Sequence, residues 1–278
     1  MMSQRFKNAV VDVALVGSVV LLLLFFYAPI MTLVAFSFTS SRVLTLPIDG
    51  FSLEWYGELV RKPDFFPAVI NSATVAAIST IFASVLGTAG AVAWIRYRFR
   101  FQNLFRAITF APLLFPQLLL GVVMLLWFSV LGNWLGFSTG LTTVIIGHVV
   151  YITPFALVIV AVQVYGFDET LEDAARDAGA NGWEVFREVT FPLLWPGIFS
   201  AATFAFLLSW GNFYVSYSLA GTARTLPVFV YSGIAVGSSP IYPALATLNF
   251  IPAIVLVGLA EFLRRRALKR LSAPNPTS

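Results

Sequence analysis

Apolar residues fall along this chain in long unbroken blocks, without the short alternation of a soluble sheet or the one-sided stripe of a surface helix. A helix that spans a bilayer needs about 20 consecutive apolar residues. Windows of that kind occur at roughly 13–36, 68–95, 107–131, 141–164, 196–218 and 243–263. The stretch from Ala107 to Phe167 contains no Asp, Glu, Lys or Arg. It is long enough for two spans, divided by the polar and small residues Asn133 to Gly136 and Ser138 to Gly140. The pattern predicts an all-α integral membrane protein with six transmembrane helices in one domain over 1–278, and a polar loop at 165–192 between the fourth and fifth. The first block, Val13 to Phe36, exceeds the ~7–15 apolar residues of a secretory signal and lacks a small-x-small cleavage site. It is expected to be a span.

Composition supports this reading. Of the 278 residues 59% are hydrophobic and 11% charged, with mean hydropathy +0.86, against about 25% charged residues in soluble domains. There is no cysteine, hence no disulfide framework, thiolate metal site or redox pair. His148 is the single histidine and builds no zinc site alone.

The net charge of +4 comes from 17 Lys and Arg against 13 acids. All but Arg42, Arg61, Lys62 and Arg224 fall on one side of the six-span scheme. Basic residues gather on the cytoplasmic side of membrane proteins, so both termini and the 165–192 loop are expected in the cytoplasm. Topology accounts for the basic excess without nucleic acid. On the other side, 37–67 mixes charges with Phe51, Trp55, Tyr56, Phe65 and Phe66, as a short interfacial helix would. It serves either as a membrane anchor or as a contact surface for an outside protein. The second span is rich in small residues, among them Ser72, Ala76, Ser79, Ala83, Ser84, Gly87 and Gly90. Such faces let helices approach closely in lipid, here either within the chain or against a second subunit.

The 165–192 loop carries the most specific signal. Asp168 is placed to cap a helix, with Thr170 and Asp173 as an alternative capping box. Glu169, Glu172 and Asp173 then lie where the helix dipole favours negative charge. Leu171, Ala174, Ala175 and Ala178 share one shallow apolar face. Gly179 permits a left-handed turn. Asn181 and Glu184 form the cap of a second short helix, Trp183 to Val189, which Pro192 and Pro196 end. A membrane-surface helix usually shows large apolar residues and Lys or Arg. This one shows alanines and acids, which fit a groove in a partner protein.

Asp173-Ala174-Ala175, Gly179 three residues on, and Val189-x-Phe191-Pro192 resemble the Glu-Ala-Ala loop of binding-protein-dependent ABC importer permeases, whose pattern is Glu-Ala-Ala-x3-Gly-x9-Ile-x-Leu-Pro. The spacing is intact. Asp173 replaces the first Glu (Glu172 precedes it), and Val189 and Phe191 replace Ile and Leu. Further segments are similar to the spermidine/putrescine-type subgroup: Asn71-Ser72, Leu86-Gly87, Arg96-Tyr97-Arg98-Phe99, Leu219-Ala220-Gly221, Thr225-Leu226-Pro227 and Ala244 to Leu248.

The resemblance implies a type I ABC importer permease fold in a bacterial inner membrane. It also implies partners: a cytoplasmic ATPase dimer, a second homologous permease, and a periplasmic or extracellular substrate-binding protein. ATP and Mg are then bound by the ATPase, with no cofactor in this chain and no enzymatic role for it. Glu172, Asp173, Ala174, Ala175, Arg176 and Gly179 become the ATPase-coupling residues.

For the solute path the candidates are Trp210, Asn212, Tyr214 and Asn249, polar or amphipathic groups in apolar spans. Interhelical packing is their alternative role. In polyamine permeases of the subgroup the stretch around Gly211-Asn212 commonly carries acids, which a buried cation needs. Here the spans offer almost none, so a polyamine requires acids from the partner permease. A less charged amine, an opine-like or zwitterionic solute and a small organic anion are equally compatible.

Gly136-Phe-Ser-Thr-Gly140 matches G-x-S-x-G, but that motif needs a strand–turn–helix setting and an acid before the histidine. His148 is expected to be a hydrogen-bonded packing residue. The competing function is an ATP-independent secondary transporter or channel. Such proteins usually place ionisable groups near the midplane, and these are missing here. An embedded enzyme lacks the clustered His, Asp or Cys it would need.

Overall fold

A computed structural model describes residues 2–48, 50–237 and 239–271, with side chains described except at 2–10, 236, 260 and 263–271. The elements are α1 (Met2–Phe36), α2 (Glu54–Arg61), α3 (Phe65–Arg96), α4 (Gln102–Leu114), α5 (Gln117–Leu135) and α6 (Leu141–Tyr165). They continue with α7 (Thr170–Asp177), α8 (Gly182–Val185), a π turn (Phe186–Thr190), α9 (Phe191–Trp210), α10 (Tyr214–Leu219), α11 (Leu226–Val236) and α12 (Ile241–Leu271). Six helical stretches among the described residues are long and apolar enough to cross a membrane: Val11–Phe36, Phe65–Arg96, Gln117–Leu135, Leu141–Tyr165, Gly182–Trp210 and Ile241–Leu259.

The chain divides into two compact units. The first is Met1–Lys62 with Ser232–Ile251. In it α1 is apolar around its whole circumference from Val13 to Phe36, as a helix facing lipid must be. Its hydroxyls at Ser18 and Thr32 donate to the carbonyls of Ala14 and Ala28, each at 2.8 Å, so neither is left unpaired in hydrocarbon. The segment after α1 folds against α2, where Trp55 Nε1 donates to the Thr39 carbonyl at 2.5 Å. Trp55 and Leu59 form the buried face of α2, the short amphipathic helix expected within 37–67.

The second unit is Pro63–Tyr231 with Pro252–Ser278. Its centre is α3, α6 and α9, packed mutually. The small residues of α3 make this contact. A Cβ at Gly87 would lie 2.8 Å from both the Ala156 Cβ and the Leu157 nitrogen of α6. Ala76, Ser79, Ala83, Ser84 and Ala91 are buried as well. The small face of the second span therefore packs within this chain. Ala91, Ala156, Leu157, Val160, Leu194 and Ala201 form one shared core.

Two expected spans are broken. The block at 107–131 is divided between α4 and α5 at Phe115-Pro116. Proline disfavours helical geometry in the residue before it, and Phe115 is extended at φ −96°, ψ 135°. The block at 196–218 is divided between α9 and α10. Gly211 ends α9, and the Asn212 Oδ1 accepts the Val215 N–H at 3.1 Å, capping a new helix. At its start, by contrast, the helix does not stop at Pro192. The preceding turn widens to π geometry, with the Phe191 N–H bonded to the Phe186 carbonyl. Pro192, which has no N–H to donate to the helical ladder, follows this π turn directly. A hydropathy window registers none of these features, nor the short α11.

Candidate functional site

Helix α7 has eight residues and an unusual distribution of burial. Glu172 is its only buried side chain. Leu171, Ala174 and Ala178 of the apolar face are exposed, and Ala175 is half-buried. The apolar face therefore points away from the body of the protein, and the carboxylate points into it.

Asp168 starts the helix: its Oδ1 accepts the Thr170 N–H at 3.0 Å and the Thr170 hydroxyl at 2.8 Å. These bonds hold the Asp168 carboxyl below its ordinary range, the hydroxyl contributing most. The Thr170–Asp173 capping box does not form. Asp173 instead accepts from Arg176 Nη1 at 2.7 Å, on the exposed side.

The helix ends where expected. Ala180 N–H reaches back to the Ala175 carbonyl at 3.0 Å and Gly179 N–H to Arg176 at 2.9 Å. This is a Schellman closure, with Gly179 at φ +94°. Open space surrounds the site of a Gly179 Cβ.

Asn181 then caps α8. Its Oδ1 accepts from Trp183 and Glu184 at 3.0 and 3.1 Å, and Glu184 Oε2 accepts the Asn181 N–H at 2.7 Å. The helix expected over Trp183–Val189 is α8 followed by the π turn. Trp183 stacks on Phe186 with ring centroids 5.6 Å apart, and both are exposed. The loop thus presents Leu171, Ala174, Ala178, Gly179, Trp183 and Phe186 outward beside the Asp173–Arg176 pair.

The inward carboxylate has three partners. Arg96 Nη1, at the end of α3, donates to Glu172 Oε1 at 2.5 Å. The Thr190 hydroxyl donates to the same oxygen. Arg176 Nη2 lies 3.5 Å from Oε2. The Arg96 guanidinium also sits over the Phe167 ring, 4.4 Å from its centroid. Burial opposes ionisation of Glu172. The hydrogen bonds from Arg96 and Thr190 and the charges of Arg96 and Arg176 outweigh it and hold the carboxyl below its ordinary value. Arg96 and Thr190 lie outside α7, and no local sequence pattern joins them to Glu172.

The path candidates separate. Trp210, Asn212 and Tyr214 lie at the α9–α10 break. Trp210 and Asn212 are buried, and Tyr214 is exposed. Tyr214 packs on Phe213, which also touches Tyr217 and Tyr231 at 5.2 and 4.8 Å. Tyr217 and Tyr231 are exposed aromatics that span-level reading missed. Asn249 is half-buried and belongs to the other compact unit.

His148 is buried in α6. Its Nδ1 lies 2.7 Å from the Ser209 hydroxyl and its Nε2 3.0 Å from Ser216, so it joins α9 and α10 across their break. Both ring nitrogens are thereby engaged away from Ser138, and Gly136–Gly140 is the link between α5 and α6. Among the described residues no group of three or more His, Cys, Asp or Glu could hold a metal ion.

Residues 79–271 match the family described as binding-protein-dependent transport system inner membrane component. The putrescine transport system permease protein PotI of Escherichia coli (strain K12) is 37% identical over 260 residues, covering 91% of this chain and 92% of that protein. The spermidine/putrescine transport system permease protein PotC of the same strain is 32% identical over 246 residues, covering 88% and 91%. Among solved structures, the fold is similar to a bacterial alginate ABC transporter in complex with an alginate pentasaccharide-bound periplasmic protein (TM-score 0.74, 16% identity, 96% of this chain and 98% of that one). It is also similar to the MetNI methionine ABC transporter in an inward-facing conformation (TM-score 0.61, 20% identity, 78% and 99%).

Proposed function

The chain belongs to the binding-protein-dependent transport system inner membrane components, and on that premise we propose how it is driven and what it carries. It is a membrane permease subunit of an ABC importer, a transport subunit and not a catalytic one. In our reading it forms half of a solute path with a second homologous permease. A soluble binding protein delivers solute on the outside. A dimer of ATPase subunits binds ATP and Mg on the cytoplasmic side, where both termini and the α7–α8 loop also lie. Each ATPase grips one such loop, and ATP-driven closure rocks the permeases between inward- and outward-facing states.

The observation that carries the coupling role is the outward-turned apolar face of α7. An eight-residue helix that buries a carboxylate and exposes Leu171 and its alanines leaves that face for another protein to cover. For the solute we propose a small polyamine cation of the putrescine class. Support comes from the names of PotI and PotC and from the exposed aromatic faces of Tyr214, Tyr217 and Tyr231, since aromatic faces attract ammonium groups.

The test is affinity purification of the tagged chain from its native membrane in mild detergent. Recovery of an ATPase and a second permease is expected. A chain recovered alone and active in liposomes without ATP would point to a secondary transporter.

A further inference from the structure

Helix α7 has little apolar anchor to its own protein: its one buried side chain is Glu172, and Ala175 is half-buried. What holds it is polar. Glu172 Oε1 receives both Arg96, the last residue of α3, and Thr190, the last residue before α9. Helices α3 and α9 in turn pack directly on each other in the centre of the fold. One carboxylate oxygen therefore joins the loop helix to two central spans that lie 76 and 18 residues away in sequence.

On the Arg96 side the pairing has no alternative. Only 11% of the Arg96 side chain and 10% of that of Glu172 are exposed. Among the described residues Arg96 Nε and Nη2 have no hydrogen-bond partner, so Glu172 is the one acceptor for this guanidinium, and Phe167 covers its face. Removing one member of such a pair strands a buried charge. Asp173, by contrast, pairs with Arg176 in solvent, where an ion pair contributes little.

We infer that Glu172 is a positioning residue that acts through Arg96 and Thr190, making α7 move as one body with α3 and α9, and is not itself a contact for the ATPase. This rests on the importer reading above. A push on the exposed face of α7 then reaches the central spans through this tie. Without it, the loop stays bound to the ATPase but slides relative to the spans.

The chain contains no cysteine, so one introduced cysteine gives this chain a single labelling position. The experiment uses the full complex, chain with its ATPase and partner permease, in nanodiscs. A Gly211→Cys reporter, exposed at the α9–α10 break with room for a side chain, is labelled with a maleimide with and without ATP, and ATPase retention is scored in parallel. Glu172→Gln and Arg96→Glu are each expected to keep the ATPase bound and to slow the ATP-driven change in labelling about tenfold. Arg96→Glu combined with Glu172→Arg restores most of the rate.

Loss of the ATPase from Glu172→Gln would make Glu172 a docking contact and overturn the inference. So would an unaltered labelling rate, or a folded double variant with no recovery. If Glu172→Gln does not accumulate in the membrane, Thr190→Val removes one leg without touching charge, and an unchanged rate there overturns the inference too. A parent complex whose labelling ignores ATP defeats the importer reading itself, a result distinct from all of these.

Discussion

Gly179 sits at φ +94° with open space where a side chain would go. A substitution there meets no clash but strains the turn that closes α7, because L-residues rarely adopt that conformation. Gly179→Asp is expected to leave the protein in the membrane at normal level and to abolish uptake. Normal uptake by a well-expressed variant removes the coupling assignment. Glu172 makes a pH prediction. Its carboxyl is held below the ordinary 4.5, so its stabilising contribution is complete above that value and fades as pH falls through the lowered one. Protease cleavage of the 165–192 loop in the purified complex should stay at its neutral rate down to about pH 4.5 and rise only below it. In Glu172→Gln it should be raised already at neutral pH. A rise in the parent protein beginning near pH 6 contradicts this.

At the scale of elements, the two broken spans divide what sequence makes legible from what it hides. The six apolar blocks, the Schellman glycine and the Asn181–Glu184 box were readable because each depends on neighbours within one turn or on bulk hydropathy. The direction of the α7 apolar face was readable only as an apolar stripe. That it points outward follows from Arg96 and Thr190, which no periodicity links to Glu172. The break at Gly211–Phe213 was hidden because a hydropathy window averages over a capping asparagine.

Asn212→Ala tests that break: losing a helix cap costs about 0.5–2 kcal/mol, so a lower thermal midpoint and altered uptake kinetics are expected, and unchanged transport at equal expression counts against a path role. Gly87→Leu tests the α3–α6 contact. A Cβ there already meets α6 backbone at 2.8 Å, backbone that has no rotamer to move, and overpacking typically costs about 1–3 kcal/mol or more. Reduced membrane accumulation is expected. Wild-type accumulation and melting would contradict the packing described.

At the scale of the molecule, the arrangement is a small-residue helix core with a loop that offers an apolar face and an inward carboxylate. On the function we propose, the driving force comes from a separate ATPase that covers the outward face of α7. The most direct test is uptake of labelled putrescine into liposomes that carry this chain with its co-purified ATPase, partner permease and binding protein. The account predicts accumulation that requires ATP and disappears with Gly179→Asp. Accumulation by this chain alone, without ATP and indifferent to that substitution, would contradict it.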